Sequence, residues 1–166
     1  MTDHVDMSAL PTGDTEVPAG FIPFPYNAGF MAAIGPIYIR PATAVANGSD
    51  LPPAMGFRVL EQHLNPVGIC HGGMMMSLID MAIGQAVLHH VERRIFPPSI
   101  NNSYDFLKPA PLGDWLQSRI DFVHTTPRTG FANGFLDGPD GPVMRCNGIC
   151  KLLKDGDSRF ARKLDL

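Results

Sequence analysis

The sequence predicts an α+β fold, in which a curved antiparallel β-sheet of about six strands wraps around one long central α-helix. Two observations predict it. One long apolar segment is typical of a buried helix, and several shorter segments alternate between apolar and polar residues as antiparallel strands do. The strands are grouped and do not alternate with helices, which argues against a doubly wound parallel sheet. The 166 residues suffice for one domain with its own core.

The helix is expected to span Met74 to Val91. Twelve of these 18 residues are apolar and none is proline. A helix that is apolar on nearly every side is buried and does not lie on a surface. The His-Gly-Gly tripeptide at 71–73 allows a sharp turn before the helix, and the prolines at 97 and 98 follow its end.

The strands are recognised by their alternation, and the segments between them carry the proline, glycine and aspartate residues of turns. The expected strands are 36–41, Met55 to His63, Ser99 to Leu107, Trp115 to Val123, Phe131 to Leu136 and Val143 to Leu153.

Three parts of the chain are distinguished by composition. Residues 1–29 hold many Pro, Gly, Thr and Asp residues without apolar periodicity, and are expected to form an N-terminal extension that wraps the surface or stays mobile. Ordered structure is expected from about Phe30, giving a main domain over 30–155 and a C-terminal tail over 156–166.

Charge and composition restrict the partners. Charged residues make up 17% of the chain, below the usual ~25%, so part of the surface is expected to be covered by another subunit. The net charge of −3 and the lack of Lys/Arg clusters argue against nucleic acid and anionic membranes as partners. The acidic N-terminal residues are unlike a signal peptide, and no uninterrupted apolar run reaches ~18 residues, so we expect a cytoplasmic protein without a membrane partner.

The three cysteines, Cys70, Cys146 and Cys150, are odd in number and form no CxxC pair, which predicts free thiols. A zinc site built from two of them with His124 is not favoured, because the two lie in a strand-like segment and not on a tight turn. Cys70 beside His71 invites comparison with a Cys/His nucleophile, but adjacent residues usually point apart.

Asp80 is the only formal charge in the predicted helix. Carboxylates are rarely buried without a partner or a purpose. Gly73, Ser77, Asp80 and Gly84 are spaced by four, three and four residues, so they form one small, polar stripe that leaves room beside the carboxylate. In the alternative interpretation, the small residues allow close helix packing and Asp80 caps a neighbouring loop.

The tripeptide at 71–73 is a candidate carbonyl-binding site. A helix start exposes backbone N–H groups that nothing inside the helix can satisfy, and these can receive an anion or a developing oxyanion. Asn65 precedes the tripeptide, and its amide could donate to a carbonyl. The alternatives are a plain His-Gly-Gly turn and an Asn-Pro turn.

Two segments together resemble a known signature. The first runs from Asn65 to Asp80, Asn-Pro-Val-Gly-Ile-Cys-His-Gly-Gly-Met-Met-Met-Ser-Leu-Ile-Asp, and the second is Ser-Ile-Asn-Asn-Ser-Tyr-Asp-Phe-Leu-Lys-Pro-Ala from Ser99. They resemble hotdog-fold acyl-CoA thioesterases of the phenylacetate-degradation (PaaI-like) type. The resemblance covers about 35–153, and it implies a hotdog fold and hydrolysis of a CoA thioester to free acid and CoA.

The resemblance also implies roles for residues. Asp80 would be the general base or nucleophile, and the Gly72 N–H would polarise the thioester carbonyl. Asn65, His71 and Ser99 would position the loop, carbonyl or water.

Other parts of the resemblance concern the substrate and the assembly. Gly73 and Ser77 would border the substrate, and Arg128 resembles a basic position suited to the CoA phosphates. The family implies a homodimer or homotetramer whose active sites lie between subunits. No metal or redox cofactor is implied.

Two other functions stay open at this stage. A non-catalytic acyl-CoA-binding or regulatory module of the same fold would keep a pocket without needing Asp80. A hydratase or dehydratase is less favoured, because its His-with-Asp/Glu signatures are not evident. The acyl group is not identified by the sequence.

Overall fold

The computed structural model describes residues 16–26, 28–44, 50–91 and 95–154. Its elements are β1 (Ile22–Pro23), α1 (Phe30–Ile34), β2 (Tyr38–Arg40), β3 (Thr43–Ala44), β4 (Asp50–Leu51), β5 (Ala54–Arg58), a 3₁₀ turn (Glu61–His63), α2 (Gly72–Val91), β6 (Ser99–Phe106), β7 (Trp115–Thr125), β8 (Thr129–Gly138) and β9 (Gly141–Lys151). The seven-stranded antiparallel sheet has the order β1-β2-β5-β7-β8-β9-β6, and β3 and β4 form a separate hairpin. The predicted α+β architecture is confirmed.

The long helix α2 is the centre of the core. It begins at Gly72, two residues before the predicted start, and packs against β5, β7 and β8. By length and composition, its 20 residues could also cross a membrane. The search for an uninterrupted apolar run did not predict this, because polar residues interrupt the helix. However, 61% of its most apolar window is buried inside the protein, as in a core helix.

The sheet starts earlier in the chain than predicted. Ile22 pairs with Ile39 of β2, and the Phe24 side chain is only 5% exposed in the core. Ordered structure therefore begins before Phe30, and β1 is the seventh strand that the prediction of about six lacked. Such a short strand carries too few residues to show an alternating pattern.

The predicted strand Met55 to His63 is also too long. It ends at Arg58, and the chain then turns through the 3₁₀ segment. The ring of His63 accepts the Leu60 N–H at Nδ1 and contacts the Phe57 ring edge-on, so the apolar alternation gives way to a turn with a buried histidine.

β6 is an edge of the sheet. It pairs with β9 on one side, and no described strand pairs with its other side. Three large apolar side chains at this edge and just beyond it are half exposed or more: Ile100 at 61%, Phe106 at 53% and Leu107 at 50%. A long, apolar, unpaired edge favours pairing with another chain.

Candidate active site

The start of α2 leaves one backbone donor free. The His71 side chain accepts the Gly73 N–H at Nδ1 (2.8 Å), and the His71 carbonyl accepts the Met74 N–H (2.9 Å). His71 is therefore the cap of the helix. The Gly72 N–H has no hydrogen-bond partner among the described residues. It lies at the positive end of the helix dipole, where it can donate to an oxygen that carries negative charge.

The loop before α2 is held in place by backbone contacts. Asn65 Oδ1 accepts the N–H groups of Val67 (3.0 Å) and Ile69 (3.3 Å). Its oxygen therefore closes the Asn-Pro turn, while the Nδ2 group makes no hydrogen bond within the described part of the chain. The Cys70 N–H donates to the Ala110 carbonyl (2.8 Å), which ties the loop to the segment that follows β6.

A second anchor of this loop is His63. Its carbonyl accepts the His71 N–H (2.7 Å), and its ring Nε2 lies 2.9 Å from the Ile34 carbonyl at the end of α1. Because Nδ1 accepts a backbone N–H, Nε2 carries the proton and the ring is neutral. Burial is the main cause that lowers the pKa of His63 from its ordinary value. The neutral ring thus links α1 to the start of α2.

Asp80 lies on the third turn of α2 and is half-buried. Its Oδ1 accepts two hydrogen bonds, from Ser99 Oγ (2.5 Å) and from Asn102 Nδ2 (2.5 Å). No donor from the described residues reaches Oδ2. One carboxylate oxygen is therefore fixed by β6, and the other is left for a water molecule or a substrate atom.

Ser99, a residue singled out in the sequence, contacts Asp80, whereas sequence reasoning missed Asn102. Asn102 alternates on β6 with Tyr104, and these two are half-buried between exposed neighbours, so they occupy inward positions where apolar residues are usual. A polar residue at that position was the available signal. Tyr104 is close enough to feel the Asp80 charge. The pKa of Tyr104 is raised, first by burial, and the charge of Asp80 adds to that shift.

The small stripe on α2 serves two purposes. Gly84 packs against the Phe96 ring, where a Cβ atom would stand 2.4 Å from the nearest ring carbon. Ser77 donates to the Gly73 carbonyl of its own helix (2.8 Å). Close packing therefore explains Gly84, while Gly73 and Ser77 border a cavity.

The cavity lies between α1 and the first turns of α2 and has a volume of about 280 Å³. Its walls combine the apolar side chains of Phe30, Ala33, Ile34, Leu64 and Met74 with the polar ones of Gln62, His63, His71 and Ser77. Apolar walls with a few polar groups are typical of small-molecule pockets.

The two chemical groups of one chain are too far apart to act on one carbonyl. Asp80 stands eight residues after Gly72 on the same helix, and eight residues of α-helix rise about 12 Å. Arg128 is exposed in the turn between β7 and β8, and no contact among the described residues joins its side chain to either group. The remaining positions gather at the start of α2 (Asn65, His71, Gly72, Gly73) or beside Asp80 (Ser99).

The cysteines take no part in these arrangements. All three are free and buried. Burial raises the pKa of Cys70 to about 12 and those of Cys146 and Cys150 to about 11, so these thiols are protonated at neutral pH. A protonated, buried thiol is a poor nucleophile. The described residues contain no group of three or more His, Cys, Asp or Glu side chains that could hold a metal.

One segment of the chain matches a family model. Residues 67–136, less than half of the chain, match the model described as the thioesterase superfamily, and this match includes the His-Gly-Gly turn, Asp80 and Ser99. The predicted hotdog fold is confirmed, and the match agrees with the resemblance to thioesterases of the PaaI-like type.

Individual relatives are distant. A protein of Pseudomonas aeruginosa, named as an esterase, is 26% identical over 136 residues, which cover 82% of this chain and 97% of the relative. A mutant of the phenylacetic acid degradation protein PaaI from Thermus thermophilus is 21% identical, with a TM-score of 0.59, over 75% of this chain and 98% of its own.

A third relative is a protein of Streptococcus pneumoniae described as a hypothetical thioesterase and crystallised with coenzyme A. It is 22% identical, with a TM-score of 0.54, and the match covers 60% of this chain and 78% of the other. At such identities, the structural likeness establishes the fold.

Proposed function

We propose that this protein is an acyl-CoA thioesterase, which hydrolyses a CoA thioester to the free acid and CoA. The observation that carries the proposal is the state of Asp80. One of its oxygens is held by two donors from β6, and its other oxygen is unengaged beside the helix core. A carboxylate with this arrangement is suited to act as a base or nucleophile.

The reaction needs an attack on the thioester carbon and a donor to the carbonyl oxygen. On one route, Asp80 Oδ2 removes a proton from water while the water oxygen attacks the thioester carbon, and the C–S bond then breaks to give the acid. On the other route, Oδ2 attacks that carbon itself, the C–S bond breaks to give a mixed anhydride, and water then hydrolyses the anhydride to the free acid and the Asp80 carboxylate. On both routes the Gly72 N–H donates to the carbonyl oxygen as it becomes negative, and the departing thiolate of CoA takes up a proton.

A second copy of the chain completes the site in this proposal. Asp80 and Gly72 of one chain are separated by about 12 Å along the helix, so each must work with its counterpart in a partner. The unpaired edge of β6, with its exposed apolar side chains, is the surface that favours such pairing. Low charge content agrees with a covered surface.

The two ends of β6 support this arrangement. The Ser99 end of β6 contacts Asp80, and the Phe106 end lies against Gly72, where a Cβ atom would stand 2.9 Å from the ring. Two copies of β6 that pair antiparallel about a two-fold axis place the Ser99 end of one opposite the Phe106 end of the other. Asp80 of each copy then faces Gly72 of the other, in a homodimer or in each dimer of a homotetramer.

The remaining residues have supporting roles. Asn65 Nδ2 is free to donate to the carbonyl or the water, and His71 fixes the helix start. Ser99 orients Asp80. The apolar cavity beside Gly73 and Ser77 receives the acyl group, and Arg128 contacts the CoA phosphates. A cytoplasmic location, with acyl-CoA and a second copy as partners, completes the proposal.

The test is release of free thiol from a panel of aromatic and aliphatic acyl-CoAs, with the wild type and Asp80→Asn compared. We expect turnover in the wild type and a loss of two or more orders of magnitude in Asp80→Asn. Asp105→Asn is the matched control, because Asp105 is an exposed β6 carboxylate paired with Arg145, and it should keep full activity.

Two outcomes would contradict the proposal. If the wild type binds acyl-CoA and releases no thiol, the non-catalytic binding module replaces the enzyme. If Asp80→Asn retains wild-type turnover, another group performs the chemistry.

A further inference from the structure

We infer that Asn102 is a positioning residue that holds Asp80 in its reactive orientation. The inference rests on the proposed thioesterase function. Asn102 lies on β6 at an inward position and donates from Nδ2 to Asp80 Oδ1. It shares this acceptor with Ser99, so both donors act on the same oxygen and none reaches the other.

The observed orientation of the Asn102 amide leaves its oxygen buried without a hydrogen bond, which lowers stability. Its Oδ1 is buried and has no hydrogen-bond partner among the described residues. It lies against Gly148 of β9, where a Cβ atom would stand only 2.7 Å away. A buried acceptor without a partner is destabilising.

The reversed amide would not remove this cost. Turning the side chain over would place its oxygen against the carboxylate oxygen of Asp80, so that two acceptors would meet without a proton between them. The hydrogen bond to Asp80 therefore fixes the amide. Leucine would fill a similar volume in the core without a buried polar atom, yet the chain carries asparagine. A locally unfavourable polar group beside a reactive carboxylate is typical of a site where stability is given up for activity.

Ser99, the other donor to Asp80 Oδ1, does not fix the carboxylate by itself. Ser99 is exposed at the end of β6, and a hydroxyl on a single rotatable bond defines the direction of a carboxylate poorly. Asn102 comes from further inside the sheet and approaches the same oxygen from a second direction. Together, the two donors fix the rotation of the Asp80 carboxylate and leave Oδ2 without a donor from the described residues.

The test compares Asn102→Leu with the wild type and with Asn101→Leu. Asn101 is the neighbouring exposed asparagine of β6, so its variant carries the same substitution without the contact to Asp80. For Asn102→Leu, we expect a kcat at least about tenfold lower, an unchanged KM for the acyl-CoA, and an unchanged or higher Tm. For Asn101→Leu, we expect wild-type kcat and KM.

A second measurement separates positioning from a structural role. Because Asn102 acts only through Asp80, Asn102→Leu should lower kcat no further in an Asp80→Asn background. Wild-type kcat in Asn102→Leu, or a loss of kcat accompanied by a lower Tm and an equal further loss in the Asp80→Asn background, would overturn the inference and leave the proposed function intact. A wild-type protein that releases no thiol would overturn both.

Discussion

At the scale of single residues, the proposed chemistry depends on one backbone N–H at the start of α2. The side chain of His71 is already committed to the Gly73 N–H, so the free donor is that of Gly72. Backbone donors cannot be removed by ordinary substitutions, but proline lacks the N–H and is tolerated at the first position of a helix.

The variant Gly72→Pro should therefore lower kcat about 10²–10³-fold, as loss of one oxyanion donor does. Gly72→Ala is the matched control. It adds the same Cβ atom against the exposed Phe106 ring but keeps the N–H, and it should retain most of the activity. Steady-state thiol release measures both variants. An equal loss in the two would show that crowding by the Cβ atom, and not the donor, is responsible.

The sequence predicts some of these residues better than others. Asp80 stands out because it is the only charge in an apolar helix, and its partner Ser99 follows from the resemblance. Asn102 does not stand out, since its importance depends on β6 lying beside α2 and on the inward face of that strand. The role of Asn65 is also partly local, because its oxygen closes the turn.

At the scale of elements, α1 and the loop before α2 are coupled through a buried, neutral His63. Its ring bridges the Leu60 N–H and the Ile34 carbonyl. Burial lowers its pKa below the ordinary 6.5, so the folded protein resists taking up this proton. The unfolded chain accepts the proton as the pH falls below about 6.5.

The free energy of unfolding should consequently decrease as the pH falls from about 6.5 through the pKa of the folded state, because the unfolded state binds more protons in that interval. His63→Gln keeps a donor and an acceptor but cannot titrate, and it should have a shallower pH dependence there. Urea unfolding at several pH values measures this difference. Parallel curves for the two proteins would show that His63 does not contribute.

Long elements were predictable and short ones were not. Helix α2 and strands β6 to β9 have enough residues to display a period, and their observed ends lie within two residues of the predicted ones. β1 has two residues and pairs with residues distant in sequence, so no local pattern predicts it. The end of β5 depends on the buried ring of His63, which a count of alternating residues does not detect.

At the level of the whole molecule, the proposed reaction needs two chains. Asp80 and Gly72 stand about 12 Å apart along one helix, and the β6 edge, with which no described strand pairs on its outer side, is the surface proposed to join two copies. A single chain gives no direct sign of this from its sequence, beyond a low charge content and the resemblance to a family with shared sites. The spacing of eight residues corresponds to about 12 Å once both residues lie in one continuous helix, and the structure places both in α2.

The most direct test is complementation between two inactive variants. Asp80→Asn and Gly72→Pro are co-expressed with different affinity tags, and the mixed dimers are isolated by tandem purification. Each mixed dimer has one site with both changes and one site with neither. We therefore predict that the mixed dimer recovers roughly half of the wild-type thiol release, while each variant alone stays inactive. Mixed dimers as inactive as the two parents would contradict a site shared between chains.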